Sequence, residues 1–342
     1  MANMITTIEK ETEYNKIHSF QYDYNRFIIF DIFVKNGELY VIMPVYSNDF
    51  PNNDKLLLNS SQFTFTIKHK KCKINYEPII VLIYDIVPVQ NSILDYEYVN
   101  LNAKYDGLEH TYKLINYTSQ PNKYYLTATT LFKDDYNLGQ FFCNYYQNQG
   151  VEHFYLYYNG IVTVEITDFL HNRENITLLP WDFVYFNYDP KYYFENNYHH
   201  HAQPGQIHHA LYKYGKNTSQ YMIFCDFDEY IYIPKITLKA EIQNTKADAY
   251  TLFCYWSKTL DNSVPKEFPE KVEIGDKITN CRRKHIYNTQ SVELIGIHEP
   301  HTFLIDNPIK LTDYMFFHFY NWSSPNRIEN THTIIDIDIP KI

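Results

Sequence analysis

The stretch Tyr221-Met-Ile-Phe-Cys-Asp-Phe-Asp-Glu-Tyr-Ile-Tyr-Ile-Pro234 decides how this chain is read. Apolar and aromatic residues from Tyr221 to Cys225 run into Asp226-Phe227-Asp228-Glu229, and the apolar run then resumes. An uninterrupted run of this kind reads as a strand buried on both faces, as inside a parallel sheet. Three carboxylates at the end of such a strand are costly unless a cation meets them. Open α/β sheets bind ligands beyond the carboxyl ends of their strands. Carboxylate oxygens there suit a hard divalent ion whose remaining ligands are phosphate oxygens. An acidic pair alone more often marks a solvated turn, so the flanking pattern gives this one its weight. The expectation is a metal–diphosphate site at a sheet edge.

Upstream, the segment Pro204 to Gly215 has Ile207, Ala210, Leu211 and Tyr214 at i, i+3, i+4 and i+7. This spacing predicts one apolar helix face, with Pro204 in the first turn and Gly215 as C-cap. Helix, short polar loop, buried strand and acidic cluster make an αβ half-unit ending in a ligand site.

The 342 residues are 45% hydrophobic, enough for a sizeable core in one or two domains. With 35 Tyr, 23 Phe and only 9 Gly, the composition follows an AT-rich genome, such as that of a large DNA virus, more than a binding signature. A net charge of -10 argues against nucleic acid as a partner. No apolar run is long enough to span a bilayer, and the polar, acidic start shows no apolar leader. A cytoplasmic setting, host cytoplasm or virion, is expected. The five cysteines lack a CxxC pair, so free buried thiols are expected.

Residues 1–120 read as a β-rich, sandwich-like accessory domain, with strands near 27–34, 38–43, 62–67 and 79–84 and a hairpin signal at Lys35-Asn-Gly37. From 121 to 342 the pattern changes. A strand at 123–132 is followed by Lys133-Asp-Asp135, and a helix carries Leu138, Phe141, Phe142, Tyr145 and Gln149 and closes at Gly150. Strands at 153–158, 176–181 and 221–225 then imply right-handed βαβ units and a mostly parallel sheet.

Together, the first strand, Lys133-Asp-Asp135, the amphipathic helix, Gly150-Val-Glu-His-Phe-Tyr-Leu-Tyr157, Trp181, Gln206 and Cys225-Asp-Phe-Asp-Glu-Tyr-Ile231 resemble glycosyltransferase family 92 and its family-2-like relatives. Arg282-Arg-Lys-His-Ile-Tyr-Asn288, Val292 to Pro300 and Phe317-His-Phe-Tyr320 are similar to later segments of that group. The resemblance spans roughly 123 to 322. It implies a GT-A fold (Rossmann-like α/β) and a metal-dependent, inverting transfer of a hexose from a nucleotide-sugar, a UDP-sugar above all, to a glycan or protein-linked acceptor. Two segments depart from the family pattern. Phe141-Phe142 and Tyr145-Tyr146 replace its Glu-Trp and Tyr-His, and Ser257 to Asp261 replaces a glycine-containing loop.

The resemblance implies that Asp226 and Asp228 face Mn²⁺ or Mg²⁺ and the diphosphate, with Glu229 either orienting the sugar or acting as a satisfied supporting acid. A His ligand would favour Mn²⁺; His318 and His298 compete for that role, His318 being preferred because this fold draws the ligand from its last core segment. Thr127, Ala128 and Thr129 on the first strand and Asn159 after the second are expected near base and ribose, along with Gln206. The alternative for the threonines is plain β-propensity. Lys284, with Arg282 and Arg283, reads equally as a diphosphate clamp or a solvated face. Inversion needs a general base, for which Asp261, Glu267 and Glu270 are candidates and Asp261 is chosen. The run His199-His-His201 with His208 and His209 reads as a polar loop and helix rather than a zinc site, since no Cys or carboxylate stands at ligand spacing. The rival from another class is a non-catalytic glycan-binding or structural protein that keeps the fold.

Overall fold

The structure is a computed structural model that describes residues 10–46, 50–73, 77–89, 96–170, 173–185, 201–260, 267–275, 279–298, 300–303, 309–323 and 333–337. The chain divides into two compact units, one comprising Met1–Pro121 with Leu179–Asn217 and the other Asn122–Leu178 with Thr218–Ile342. The segment Leu179–Asn217, expected in the second domain, instead returns to the first.

The first unit contains β1 (Phe20–Asp23), β2 (Arg26–Ile29), β3 (Asp31–Lys35), β4 (Glu38–Pro44), β5 (Leu57–Asn59), β6 (Phe63–Lys73), β7 (Ile79–Pro88), β8 (Tyr98–Tyr105) and β9 (Leu108–Tyr117). Seven of these form a sheet of order β5-β8-β9-β3-β4-β7-β6. Its two antiparallel ladders are joined by only two parallel pairs, Val34 with Asn116 and Lys35 with Tyr117. Ile32 and Val34, Val41 and Met43, Leu82 and Tyr84, and the alternating Val99, Leu101, Ala103 and Tyr105 share one core. The β3–β4 hairpin turns at Asn36 and Gly37 with φ of 51° and 76°, the positive values that an Asn-Gly pair tolerates.

Within this unit the helix α1 (Ala202–His209) continues as a π-helical stretch over Ala210–Gly215, and every residue from Ala202 to Gly215 is buried. The expected single apolar face is therefore an all-round buried helix. Gly215 is not its C-cap either, because helical structure continues through Lys216–Thr218. Burying Lys213 and His209 requires partners. The fully buried Asp31 on β3 supplies them: its Oδ2 lies 2.7 Å from both Lys213 Nζ and His209 Nε2, and its Oδ1 accepts the His18 N–H at 2.6 Å. Burial alone would raise Asp31, but Lys213 and His209 outweigh it and hold the carboxyl well below its usual range. Burial lowers His209 to about 4.

Because the unfolded chain takes up a proton at His209 near pH 6.5 and the folded unit does so only near pH 4, stability should fall as pH drops through that window. The expected loss is roughly 3 kcal/mol at most. Below about pH 4, protonation of Asp31 in the unfolded chain continues the loss. Chemical denaturation between pH 7 and 4 checks this, and a flat profile would show that His209 is not held neutral. His208 bonds Pro204 O through Nδ1 at 2.7 Å, so His208 and His209 have separate hydrogen-bond partners. His199 and His200 lie outside the described residues.

The second unit contains β10 (Tyr124–Phe132), α2 (Gly139–Asn148), β11 (His153–Tyr158), α3 (Val164–Phe169), β12 (Ile176–Pro180), β13 (Ser219–Phe224), β14 (Glu229–Tyr232), α4 (Leu238–Thr245), β15 (Ala249–Lys258), β16 (Lys271–Ile274), β17 (Thr279–Asn288), β18 (Val292–Ile295), β19 (Pro300–Phe303), β20 (Ile309–Phe319), α5 (Tyr320–Ser323) and β21 (Thr333–Asp336). Its ten-stranded sheet has the order β12-β11-β10-β13-β17-β15-β16-β21, with β20 pairing β15 and β14. β10 is parallel to both β11 and β13, as expected. Beyond β13 the sheet is mixed and not mostly parallel: β15–β20 is parallel, but β13–β17, β15–β17, β15–β16, β16–β21 and β14–β20 are antiparallel. A parallel step needs a long crossover, usually a helix. α2 supplies one between β10 and β11, whereas among the described residues beyond β15 the helix α5 has only four residues.

α2 ends at Gly150, whose φ of +92° requires glycine, and an added Cβ would meet Lys239 Cβ at 2.5 Å. Among the described residues no helix is long and apolar enough to cross a membrane. Cys143, Cys225 and Cys254 are buried free thiols, while Cys72 is exposed.

Candidate active site

The acidic block follows β13 directly. β10, β11 and β13 are parallel, with Thr129 opposite Phe224 and Phe132 opposite Tyr158, so their carboxyl ends share one edge of the sheet. At that edge the ring of Phe227, fully buried, wedges against Phe132 and Phe142 at centroid distances of 4.7 and 5.1 Å. Anchoring this middle residue fixes the turn that carries Asp226 and Asp228. α2 supports it from below: Tyr146 OH donates to Glu229 O at 2.9 Å and accepts from Ile231 N, and Tyr145 OH donates to Ile231 O at 2.8 Å. The aromatic departures from the family pattern thus form the bed beneath the acidic turn.

β14 then pairs with β20 so that Glu229 lies opposite His318, and Phe319 N donates to Asp228 O at 2.8 Å. His318 Nε2 is 3.3 Å from Asp228 Oδ2, and its Nδ1 is 3.7 Å from Glu229 Oε1. Trp256 on β15 stacks on this imidazole at 4.5 Å and 29°, fixing the plane of the ring. Burial lowers the His318 pKa, but Asp228 and Glu229 prevail and raise it well above the usual imidazole value. From β17, Lys284 Nζ reaches Asp226 Oδ2 and Glu229 Oε2, each at 3.0 Å. The Glu229 carboxylate also accepts the Asp226 N–H at 2.7 Å.

The expected residues thus fall into separate groups. Asp226, Asp228, Glu229, Lys284 and His318 converge. Glu229, 1% exposed, accepts the Asp226 N–H and braces the turn. Thr127, Ala128 and Thr129 lie sealed in β10: Thr127 Oγ1 bonds Ser219 Oγ and Tyr221 O, and Thr129 Oγ1 donates to Tyr155 O. The two threonine hydroxyls bond within the sheet. Asn159 follows β11 at the carboxyl edge, its N–H donating to Phe132 O at 2.8 Å. Gln206 belongs to the first unit. The carbonyl of His298 lies 3.3 Å from His285 Nε2, whereas His318 is the histidine set against Asp228. Asp261 lies outside the described residues, and Glu267 and Glu270 are exposed.

Asp135 is a residue that sequence reasoning quoted without assigning. Burial, together with the charges of Asp228 and Asp226, raises its carboxyl to about 6, while the Lys133 N–H opposes this. The missed signal is its position just beyond β10, at the edge where ligands of such sheets bind.

Three carboxyl groups, those of Asp226, Asp228 and Glu229, thus meet one ammonium and one imidazole, and the Asp135 carboxyl lies close enough to feel the charges of Asp228 and Asp226. Among the described residues no three ligating side chains form a ready-made metal cage. A mixed carboxylate–imidazole pair with excess negative charge nevertheless suits a divalent ion completed by phosphate oxygens.

The family model of glycosyltransferase family 92 matches residues 140–337, more than half of the chain and including Asp226, Asp228, Glu229, Lys284 and His318. The chain belongs to glycosyltransferase family 92. No curated protein matches it. This glycosyltransferase therefore joins a separate β-rich region to a mixed α/β transferase domain.

Proposed function

We propose that this glycosyltransferase has a GT-A-type donor site and moves a hexose, with inversion, from a UDP-sugar to a glycan or glycoprotein acceptor. The observation that carries the reading is Asp228 against His318 at the carboxyl edge of β13, with Lys284 bracing the neighbouring acids. Asp228 and His318 would hold Mn²⁺, or Mg²⁺ in its place. When bound, the ion supplies Lewis-acid stabilisation of the charge that develops on the leaving diphosphate. Phe227 and Tyr146 keep the acidic turn fixed beforehand, so little reorganisation is needed as that charge appears. Trp256 holds the His318 ring in register with Asp228.

The acceptor hydroxyl must lose a proton to a carboxylate. Asp261 remains the sequence-based choice, and Asp135, held near 6, lies in the range useful to a base near neutrality. The cytoplasmic setting, host cell or virion, belongs to the same proposal and rests on composition.

A thermal-shift series with UDP, GDP and their common sugars, with and without Mn²⁺, tests the reading. A Mn²⁺-dependent rise with uridine ligands, absent in Asp228→Asn, is expected. No shift with any nucleotide would overturn the donor site.

A further inference from the structure

Three carboxylates within four residues would bind a cation strongly and repel the diphosphate that must accompany it. Lys284 bears on this conflict. Its side chain is 4% exposed and projects from β17, which is paired on either side with β13 and β15. Its ammonium lies 3.0 Å from both Asp226 Oδ2 and Glu229 Oε2, whereas Asp228 is set against His318. The other basic side chain of the same run on this strand face behaves differently, the Arg282 guanidinium lying over the Trp256 ring at 5.7 Å.

We infer that Lys284 is a positioning residue that divides the acidic block, taking Asp226 and Glu229 as its fixed counterions and leaving Asp228 with His318 to meet the cation and diphosphate. The inference rests on the donor-site reading above. A buried ammonium held by two carboxylates is preorganised, so it lowers the negative potential at the site without moving when ligand arrives. Its removal should therefore act in opposite directions on the two ligands: the more negative site holds a divalent cation more tightly and a diphosphate less tightly. Damage to the fold alone would weaken both.

The test is titration calorimetry on the full chain with Mn²⁺ alone and with UDP at saturating Mn²⁺, for wild type, Lys284→Met, Lys284→Arg and Asp228→Asn. Lys284→Met is expected to bind Mn²⁺ about tenfold more tightly and UDP about tenfold or more weakly, the scale of one charge-assisted hydrogen bond. Lys284→Arg, which keeps the charge, should restore both affinities. Unchanged affinities in Lys284→Met, or a parallel weakening of both, would overturn the inference. If that occurs while Asp228→Asn loses Mn²⁺ and UDP, the donor site stands and only the role of Lys284 falls. Wild type that binds neither ligand overturns both. Should Lys284→Met fail to fold by circular dichroism, Lys284→Gln, which also removes the charge but keeps a polar head between Asp226 and Glu229, is titrated in its place, and the same opposed shifts are required.

Discussion

Asp228→Asn is expected to lower glycosyl transfer by about a thousandfold or more while leaving the fold intact. Stabilising a leaving diphosphate through a divalent ion is worth several kcal/mol, and each 1.36 kcal/mol is about tenfold in rate. Asp228 carries the oxygen nearest His318, and Asn keeps its shape but loses the charge that a cation needs. The turn itself is held by other groups: the Phe227 ring, the Tyr146 hydroxyl and the backbone bond from Phe319 N to Asp228 O. Initial rates of donor consumption with Mn²⁺, beside circular dichroism of the same preparation, check the prediction. A variant within tenfold of wild type would remove Asp228 from the reaction.

The largest effect on stability is expected at Asp31→Ala in the first unit. The change strands the Lys213 ammonium, which is 0% exposed, and removes the acceptor for His209 Nε2. Breaking a buried pair from one side costs about 3–5 kcal/mol, because the remaining ammonium, though still donating to Lys16 O at 2.9 Å, has lost its counterion in a site closed to water. For a unit of this size the melting transition should fall by roughly 10 °C. Adding Lys213→Met to Asp31→Ala should recover part of the loss, since the stranded charge is then gone. A fall below about 1 kcal/mol for the single variant, measured by denaturant titration, would mean that Lys213 reaches water. This effect is separate from the donor site, whose residues belong to the second unit.

Much of the second unit was legible because its signals are local. The strand at Tyr221–Cys225, the helix ending at Gly150 and the acidic block each follow from periodicity or backbone requirements within a few residues. The mixed half of the sheet beyond β13 was not legible, since β16 and β17 pair antiparallel and β20 parallel with β15, pairings between distant segments that no local pattern encodes. Thr127 and Thr129 were ambiguous for a related reason. A threonine on a strand has the same sequence whether its hydroxyl faces a ligand or a neighbouring carbonyl, and here Tyr221 O and Tyr155 O take the bonds. The helix after Ala202 showed an apolar stripe, but its polar positions are buried as well, because Asp31, 178 residues away from His209, neutralises them.

The sequence by itself determined that three carboxylates end a buried strand at a ligand-binding edge, and its motifs pointed to the family, because strand burial and the order of motifs are written along the chain. Only the tertiary structure decided how those carboxylates are divided. His318, opposite Glu229 across β14 and β20, turns to Asp228, while Lys284 on β17 takes Asp226 and Glu229. Which cation meets which carboxylate depends on strand register between segments up to 92 residues apart, Asp226 to His318, and charge attraction acts only once pairing has brought them together.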